Sequence, residues 1–237
     1  MFNQKKLIVL SGKGGVGKST LARALITHAA RKNIACRAFD GDGSNASLAR
    51  FHPEVDVIDV DGDLRIADWY ESQVIPALLA DDCQIVLLDL GAGAERLFRT
   101  WCINNQAVDV LAGESVAISL WHVLDPTLDA VSPLLEAVQL LPQVEHVVWL
   151  NHGLAKGLDV TEPARAFDAI RREPEFIDVV RDRKVCVMPP LLEGPLIDAQ
   201  DLSFEEAVAT HGPLALFQRL RVKRWLEQVG LAIDQVF

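Results

Sequence analysis

Ser11-Gly12-Lys13-Gly14-Gly15-Val16-Gly17-Lys18-Ser19-Thr20 follows the apolar run Leu7-Ile8-Val9-Leu10 and leads into Leu21-Ala22-Arg23-Ala24-Leu25. The first run reads as a short buried strand and the second as the start of a helix. Gly12 to Ser19 fits G-x-x-x-x-G-K-[ST] in full, in the strand–loop–helix setting that a phosphate-binding loop requires. Glycine is needed where backbone N–H groups turn inward and phosphates approach the main chain. Gly12, Gly14, Gly15, Val16, Gly17, Lys18, Ser19 and Thr20 are therefore the expected cofactor-binding residues. Lys18 would reach β- and γ-phosphate oxygens, and the Ser19 hydroxyl would take one site on Mg²⁺. The helix N-terminus behind them adds partial positive charge. The alternative is a glycine-rich turn without a ligand.

Lys13 adds a second lysine inside the loop, giving Lys-Gly-Gly-Val-Gly-Lys-Ser-Thr over residues 13–20. This octet resembles the deviant Walker A motif of the ParA/MinD superfamily. The resemblance implies an ATP/ADP site with Mg²⁺, a homodimer in the ATP state, and a Lys13 that reaches across that dimer to the partner's phosphates. Otherwise Lys13 is a solvated side chain at a loop tip.

With 237 residues, 50% of them hydrophobic and 24% charged, the chain reads as one well-cored α/β domain spanning 1–237. The formal net charge of -10 excludes a protein that coats nucleic acid with its whole surface, although a local basic patch remains compatible. Cys36, Cys83, Cys102 and Cys186 are scattered without a C-x-x-C pair, which argues against disulfides and Cys₄ metal sites and fits a cytoplasmic setting. The start of the chain lacks a signal-type apolar core. No run approaches the roughly 18–20 apolar residues of a transmembrane segment.

Apolar β-type runs recur between helical segments, predicting a mainly parallel sheet with helices on both faces. The strand candidates are Leu7–Leu10, Cys36–Phe39, Ile85–Leu88, Val116–Val123, Val144–Leu150 and Val185–Met188, with Val55–Val60 and Val108–Leu111 as further candidates. Ligands in such folds bind beyond the carboxyl ends of the strands.

Three strand ends carry chemistry. Asp40-Gly41-Asp42 opens a small-residue loop that resembles the superfamily's switch I, which implies that Asp42 positions the attacking water while Asp40 supports the metal shell. Gly43 stands where proline is common, and Asn45 comes about one residue early. The simpler alternative is an Asx/Gly turn. Asp89 ends an apolar run as a Walker B aspartate does and would hold Mg²⁺ directly or through water. The Gly91 and Gly93 that follow resemble switch II. Asn151 and Pro189 end two later runs, and in ParA/MinD-like proteins these positions commonly hold adenine. No Asn/Thr-Lys-x-Asp guanine motif follows Asn151, so ATP is favoured over GTP. Lys13, Lys18 and Asp42 are thus the expected catalytic residues, and Ser19, Asp40 and Asp89 the expected metal site.

Asp125-Pro126 reads as a helix start, and Ser203-Phe204-Glu205-Glu206 as a capping box. The histidines lack metal spacing. A last helix near Pro213–Val229 carries Leu216, Phe217, Leu220, Trp225 and Val229 beside Arg219, Arg221, Lys223 and Arg224. Such a helix packs its apolar stripe on the sheet, or offers a basic face to DNA or a membrane surface.

Val147-Val148-Trp149-Leu150-Asn151, Asp89-Leu90-Gly91-Ala92-Gly93 and Leu202-Ser203-Phe204-Glu205-Glu206-Ala207 resemble the plasmid-encoded TraL/StbB-type branch. That likeness implies an ATP-dependent dimerisation switch with a plasmid-encoded protein partner, serving partition, stability or conjugative transfer. The alternatives are a metal-insertion or cluster-carrying ATPase similar to nitrogenase iron protein, CooC or ArsA, for which Cys102 is the candidate ligand, and a ligase or kinase similar to dethiobiotin synthetase, which would have no use for Lys13.

Overall fold

Lys5–Ser11 forms the central strand, β1. Its apolar residues alternate between the two sides of a sheet, Leu7 and Val9 to one side, Ile8 and Leu10 to the other. The structure, a computed structural model, describes residues 4–43, 46–58, 63–91, 93–155 and 161–237. Asn45, and residues 59–60 of the strand expected at Val55–Val60, lie outside them.

The chain continues through α1 (Lys18–Arg31), β2 (Cys36–Gly41), β3 (Asp56–Val57), α2 (Asp63–Trp69), a π-turn at Tyr70–Val74, α3 (Ile75–Leu79), β4 (Ile85–Leu90), α4 (Ala94–Asn104) and α5 (Ala107–Gly113). It ends with β5 (Val116–Leu124), α6 (Val131–Leu140), β6 (Glu145–Asn151), α7 (Asp168–Arg172), α8 (Pro174–Val180), β7 (Lys184–Met188), α9 (Gly194–Ala199), α10 (Phe204–Val208) and α11 (Leu216–Asp234). The described strands form a seven-stranded sheet in the order β3-β2-β4-β1-β5-β6-β7. All pairs are parallel, so the predicted three-layer α/β architecture holds.

One face packs on α1, α10 and α11 through Trp121, Trp149, Leu25, Phe204, Trp225 and Val229. The other packs on α2 to α6 and on α7 and α8, in two adjoining apolar clusters. The first of these contains an aromatic group in which Tyr70 meets Phe98 and Trp101 at ring separations of 5.6 and 5.3 Å, fixing α4 against the π-turn. Trp101 Nε1 also donates to Glu71 Oε1 at 3.1 Å.

Two local expectations fail. Val108–Leu111 lies in α5, where Ala107 and Leu111 are buried four residues apart, a helical rather than an alternating spacing. Asp125-Pro126 does not begin a helix. A 3₁₀ turn starts at Leu128, because Asp125 accepts from the Thr127 hydroxyl at 2.6 Å instead of capping backbone amides. The Ser203/Glu206 capping box is present as expected. α11 starts at Leu216 and buries Val222, Trp225, Leu226, Val229 and Ile233, leaving Leu216, Phe217 and Leu220 exposed. It runs from the carboxyl end of the sheet, where Trp225 Nε1 donates to the Pro189 carbonyl, to the opposite end, where Lys6 and Lys184 meet the Val236 carbonyl.

Candidate functional site

The register of the central strands brings the two expected strand-end aspartates to one edge. Leu10 of β1 pairs with Asp89 of β4, and Asp89 pairs with Asp40 of β2, so the carboxylates meet where the phosphate loop leaves β1. The loop turns on glycines at positive φ. Gly12 sits at φ 141, and a Cβ there would lie 2.4 Å from the Val123 carbonyl oxygen. Gly17 sits at φ 98, and a Cβ there would lie 2.6 Å from Asn151 Nδ2. Only glycine meets both demands. Gly17 is also the N-cap of α1 and supplies no side-chain cap, so the first-turn amides of α1 are left for a ligand.

A cavity of about 320 Å³ opens over this loop, lined by Gly14, Gly15, Gly17, Lys18, Ser19, Thr20, Asp42, Ser47, Asp89 and Leu90. Lys18 is buried and its Nζ donates to the Gly12 and Lys13 carbonyls at 3.0 and 2.9 Å. Burial lowers its pKa, opposed by the carboxylates of Asp89, Asp42 and Glu95. Ser19 Oγ lies 2.7 Å from Ser47 Oγ. Ser47 had no signal in the sequence beyond membership of a small polar loop.

Asp89 is buried, and its Oδ1 has no hydrogen-bond partner among the described residues. Desolvation raises its pKa to about 6, with a smaller push from Asp40 and Asp42 and opposing pulls from Ser19 and Lys18. A buried carboxylate oxygen without a donor, beside a serine hydroxyl and above a ring of glycine amides, is a donor set that suits a divalent cation and a phosphate chain. The residues fit that group.

Asp40 stands at the end of β2, in register with Asp89. Its Oδ1 accepts from the Asp42 amide at 3.0 Å, and its Oδ2 from the Leu48 and Ala49 amides at 2.9 and 3.2 Å. It organises the loop after β2. Asp42 lines the cavity, with its carboxyl carbon 3.0 Å from where a Cβ on Gly91 would stand.

Asn151 lies beneath the loop. Its Nδ2 donates to the Val16 carbonyl at 2.8 Å, and its Oδ1 accepts from the Gly153 amide at 2.9 Å. It braces the loop as well as ending β6. Pro189 follows β7 half-buried, its carbonyl taken by Trp225. Lys13 points away from the cavity to the segment after β5, where it pairs with Asp129, donates to Thr127 Oγ1 at 3.1 Å and lies 3.9 Å from Asp125. Asp125 and Thr127 also line a second cavity of about 420 Å³ on that side of Gly14, Gly15 and Val16.

Cys102 is buried in α4, and burial pushes its thiol up to about 12. Burial therefore disfavours the thiolate that a metal ligand would need. Among the described residues, no group of three or more His, Cys, Asp or Glu side chains is placed to hold a metal ion.

A family model described as the CobQ/CobB/MinD/ParA nucleotide binding domain matches residues 7–185. The chain belongs to that family. The matched span of this MinD/ParA-type domain runs from β1 into β7 and contains the loop, Asp40, Asp89 and Asn151. Similar solved structures include the MinD cell division protein of Aquifex aeolicus, at 13% identity and a TM-score of 0.60, covering 98% of this chain and 96% of that one. The septum site-determining protein MinD of Pyrococcus horikoshii, complexed with Mg-ADP, is similar at 16% identity and a TM-score of 0.58, over 98% and 96% of the two chains. An ATP complex of McdA from Cyanothece follows at 14% identity and 0.53, over 98% and 97%. At these identities the likeness establishes the MinD-like fold. No curated protein matches the chain in sequence.

Proposed function

We propose that this MinD/ParA-family chain is a Mg²⁺-dependent ATPase that works as a nucleotide-dependent dimerisation switch. One observation carries the proposal: the uncapped α1 amides, Lys18, Ser19 and the unpartnered Asp89 oxygen converge on one cavity at the carboxyl edge of the sheet. The glycine amides and Lys18 would hold the β- and γ-phosphates, and Ser19 with Asp89 would hold Mg²⁺, which supplies charge neutralisation at the phosphates when bound. Lys18 would leave the Gly12 and Lys13 carbonyls to do so. Asp42 would orient the attacking water, Asp40 would fix the loop that carries Asp42, and Asn151 and Pro189 would border the base.

In the switch, Lys13 would leave its own acidic contacts and reach the nucleotide of a second copy. A TraL/StbB-type role in plasmid maintenance or conjugation would add a plasmid-encoded partner. The N-terminal turns of α11 suit such a contact, or one with DNA or a membrane surface, since Phe217 is 71% exposed beside exposed Lys223 and Arg224. Among the described residues, no helix is long and apolar enough to cross a membrane. We place the protein in the cytoplasm, as one domain.

Calorimetric titration with ADP and ATP, with and without Mg²⁺, tests the site. Size-exclusion chromatography with each nucleotide tests the switch. Absence of Mg²⁺-dependent nucleotide binding would refute the first, and an ATP-bound monomer at all concentrations the second.

A further inference from the structure

The loop after β2 is fastened to the rest of the molecule at several points. Asp40 accepts from the Asp42, Leu48 and Ala49 amides. The Phe51 and His52 amides both donate to the Leu48 carbonyl at 3.1 Å. Arg50 donates to the Asp198 carbonyl of α9 at 2.6 Å and pairs with Asp201, between α9 and α10. The Phe51 ring lies 3.5 Å from the guanidinium of Arg23, which is buried on α1. These contacts hold the loop without help from Ser47.

Ser47 lines the cavity over the phosphate loop. A serine in a loop commonly bonds to its own neighbouring backbone. Ser47 Oγ instead lies 2.7 Å from Ser19 Oγ, 28 residues away in sequence. Ser19 carries the hydroxyl that the motif assigns to Mg²⁺. Each hydroxyl has one hydrogen and two lone pairs. With Ser47 as the donor, Ser19 keeps its own hydrogen for Asp89, on which it acts as a hydrogen-bond donor. One Ser19 lone pair is then left for a cation. The contact can therefore orient a metal-binding oxygen without using it up.

We propose that Ser47 is a positioning residue of the Mg²⁺ site, whose hydroxyl donates to Ser19 Oγ and confines Ser19 to the orientation that meets the cation. The proposal rests on the nucleotide reading above. Without a partner, the Ser19 side chain is free to leave that orientation for other staggered rotamers. Losing a group that orients a metal ligand weakens metal binding by roughly 10- to 100-fold. The same bond joins the loop that carries Asp42 to the first turn of α1. The contact is part-buried, so a Ser19 hydroxyl left alone turns to solvent at little cost to folding.

Calorimetric titration of the full chain with ADP, across a series of Mg²⁺ concentrations and in chelator, tests the proposal without reference to turnover. Ser47→Ala should raise the Mg²⁺ concentration at half-effect about tenfold. Its ADP affinity in chelator should stay within about twofold of wild type, with an unchanged thermal melt. Wild-type Mg²⁺ dependence in Ser47→Ala, or a tighter one, overturns the proposal. So does an equal loss of ADP affinity with and without Mg²⁺, which marks a general role in shaping the cavity. Because Ser47 acts through Ser19, the Ser19→Ala/Ser47→Ala double variant should bind Mg²⁺ no more weakly than Ser19→Ala, and additive losses overturn the proposal. The two readings fail differently. Wild-type ADP binding that ignores Mg²⁺ refutes the nucleotide reading and this proposal together, whereas Mg²⁺-dependent binding left unchanged in Ser47→Ala overturns this proposal alone.

Discussion

Lys13 and Asp129 form an ion pair at the lip of the phosphate loop, with Thr127 and Asp125 completing an acidic cradle around the lysine. The cradle holds Lys13 away from the cavity over its own loop. Under the proposed switch, a lysine that acts on a second copy would thereby be stowed while the protein is alone. Asp129→Asn should shift ATP-dependent dimerisation to about two- to fivefold lower protein concentration, the scale of one exposed ion pair. Lys13→Ala should abolish dimerisation while ADP affinity stays within about twofold. Sedimentation velocity with ATP and with ADP measures both; an unchanged midpoint in Asp129→Asn would remove the cradle from the switch.

Lys18→Ala should leave the fold intact and lower ADP affinity at least about 100-fold, because it removes the buried charge at the phosphates and creates no unpaired charge. Calorimetry and a thermal melt report the two effects separately.

Asp89 supplies a pH-dependent prediction for metal-free protein. Its folded pKa of about 6 lies above the ordinary aspartate value of 3.8. The folded state therefore holds this proton more tightly, and the stability it lends is lost as pH rises through 6. Asp89→Asn should be more stable than wild type at pH 7.5, by at most about 3 kcal/mol. The gain should shrink to nothing below about pH 4, where both states are protonated. The same variant should lose Mg²⁺-dependent nucleotide binding. Melts across pH in chelator check the first part, and equal differences at all pH values would contradict it.

Gly17 and Asn151 should be energetically coupled. Gly17→Ala drives a Cβ into Asn151 Nδ2 at a φ of 98 and should cost about 1–3 kcal/mol. Asn151→Ala removes the obstacle as well as the brace on Val16, so the double variant should lose less than the sum of the single ones. Additive losses would show that φ strain alone sets the cost.

Asp42→Ala should retain ATP binding within a few-fold and lower turnover by about 100-fold, since positioning of the attacking water acts only on the reaction. Single-turnover hydrolysis checks it.

The parallel sheet and the phosphate loop were legible because they rest on local patterns. Apolar runs at helix-separated spacing and the glycine–lysine motif need no knowledge of distant contacts. Asp89 was legible for the same reason, as the residue that ends such a run. What escaped the sequence depends on register and packing. The bonds from Asp40 to three loop amides depend on how the loop after β2 folds back and left no trace in the sequence. Ser47 was hidden for the same reason, since its partner Ser19 lies 28 residues away. The exposed start of α11 was hidden by composition, because Leu216, Phe217 and Leu220 match the buried stripe in type but not in position.

The tryptophans fall into two sets divided by the sheet. Trp69 and Trp101 stand with α4 on one face, whereas Trp121, Trp149 and Trp225 are packed on the other. Trp101 also sits on α4 itself and is held by Glu71 from the π-turn. The molecule therefore carries an intrinsic optical gauge: movement of α4 would alter emission from Trp69 and Trp101, and the proposed switch can be timed without attaching a dye.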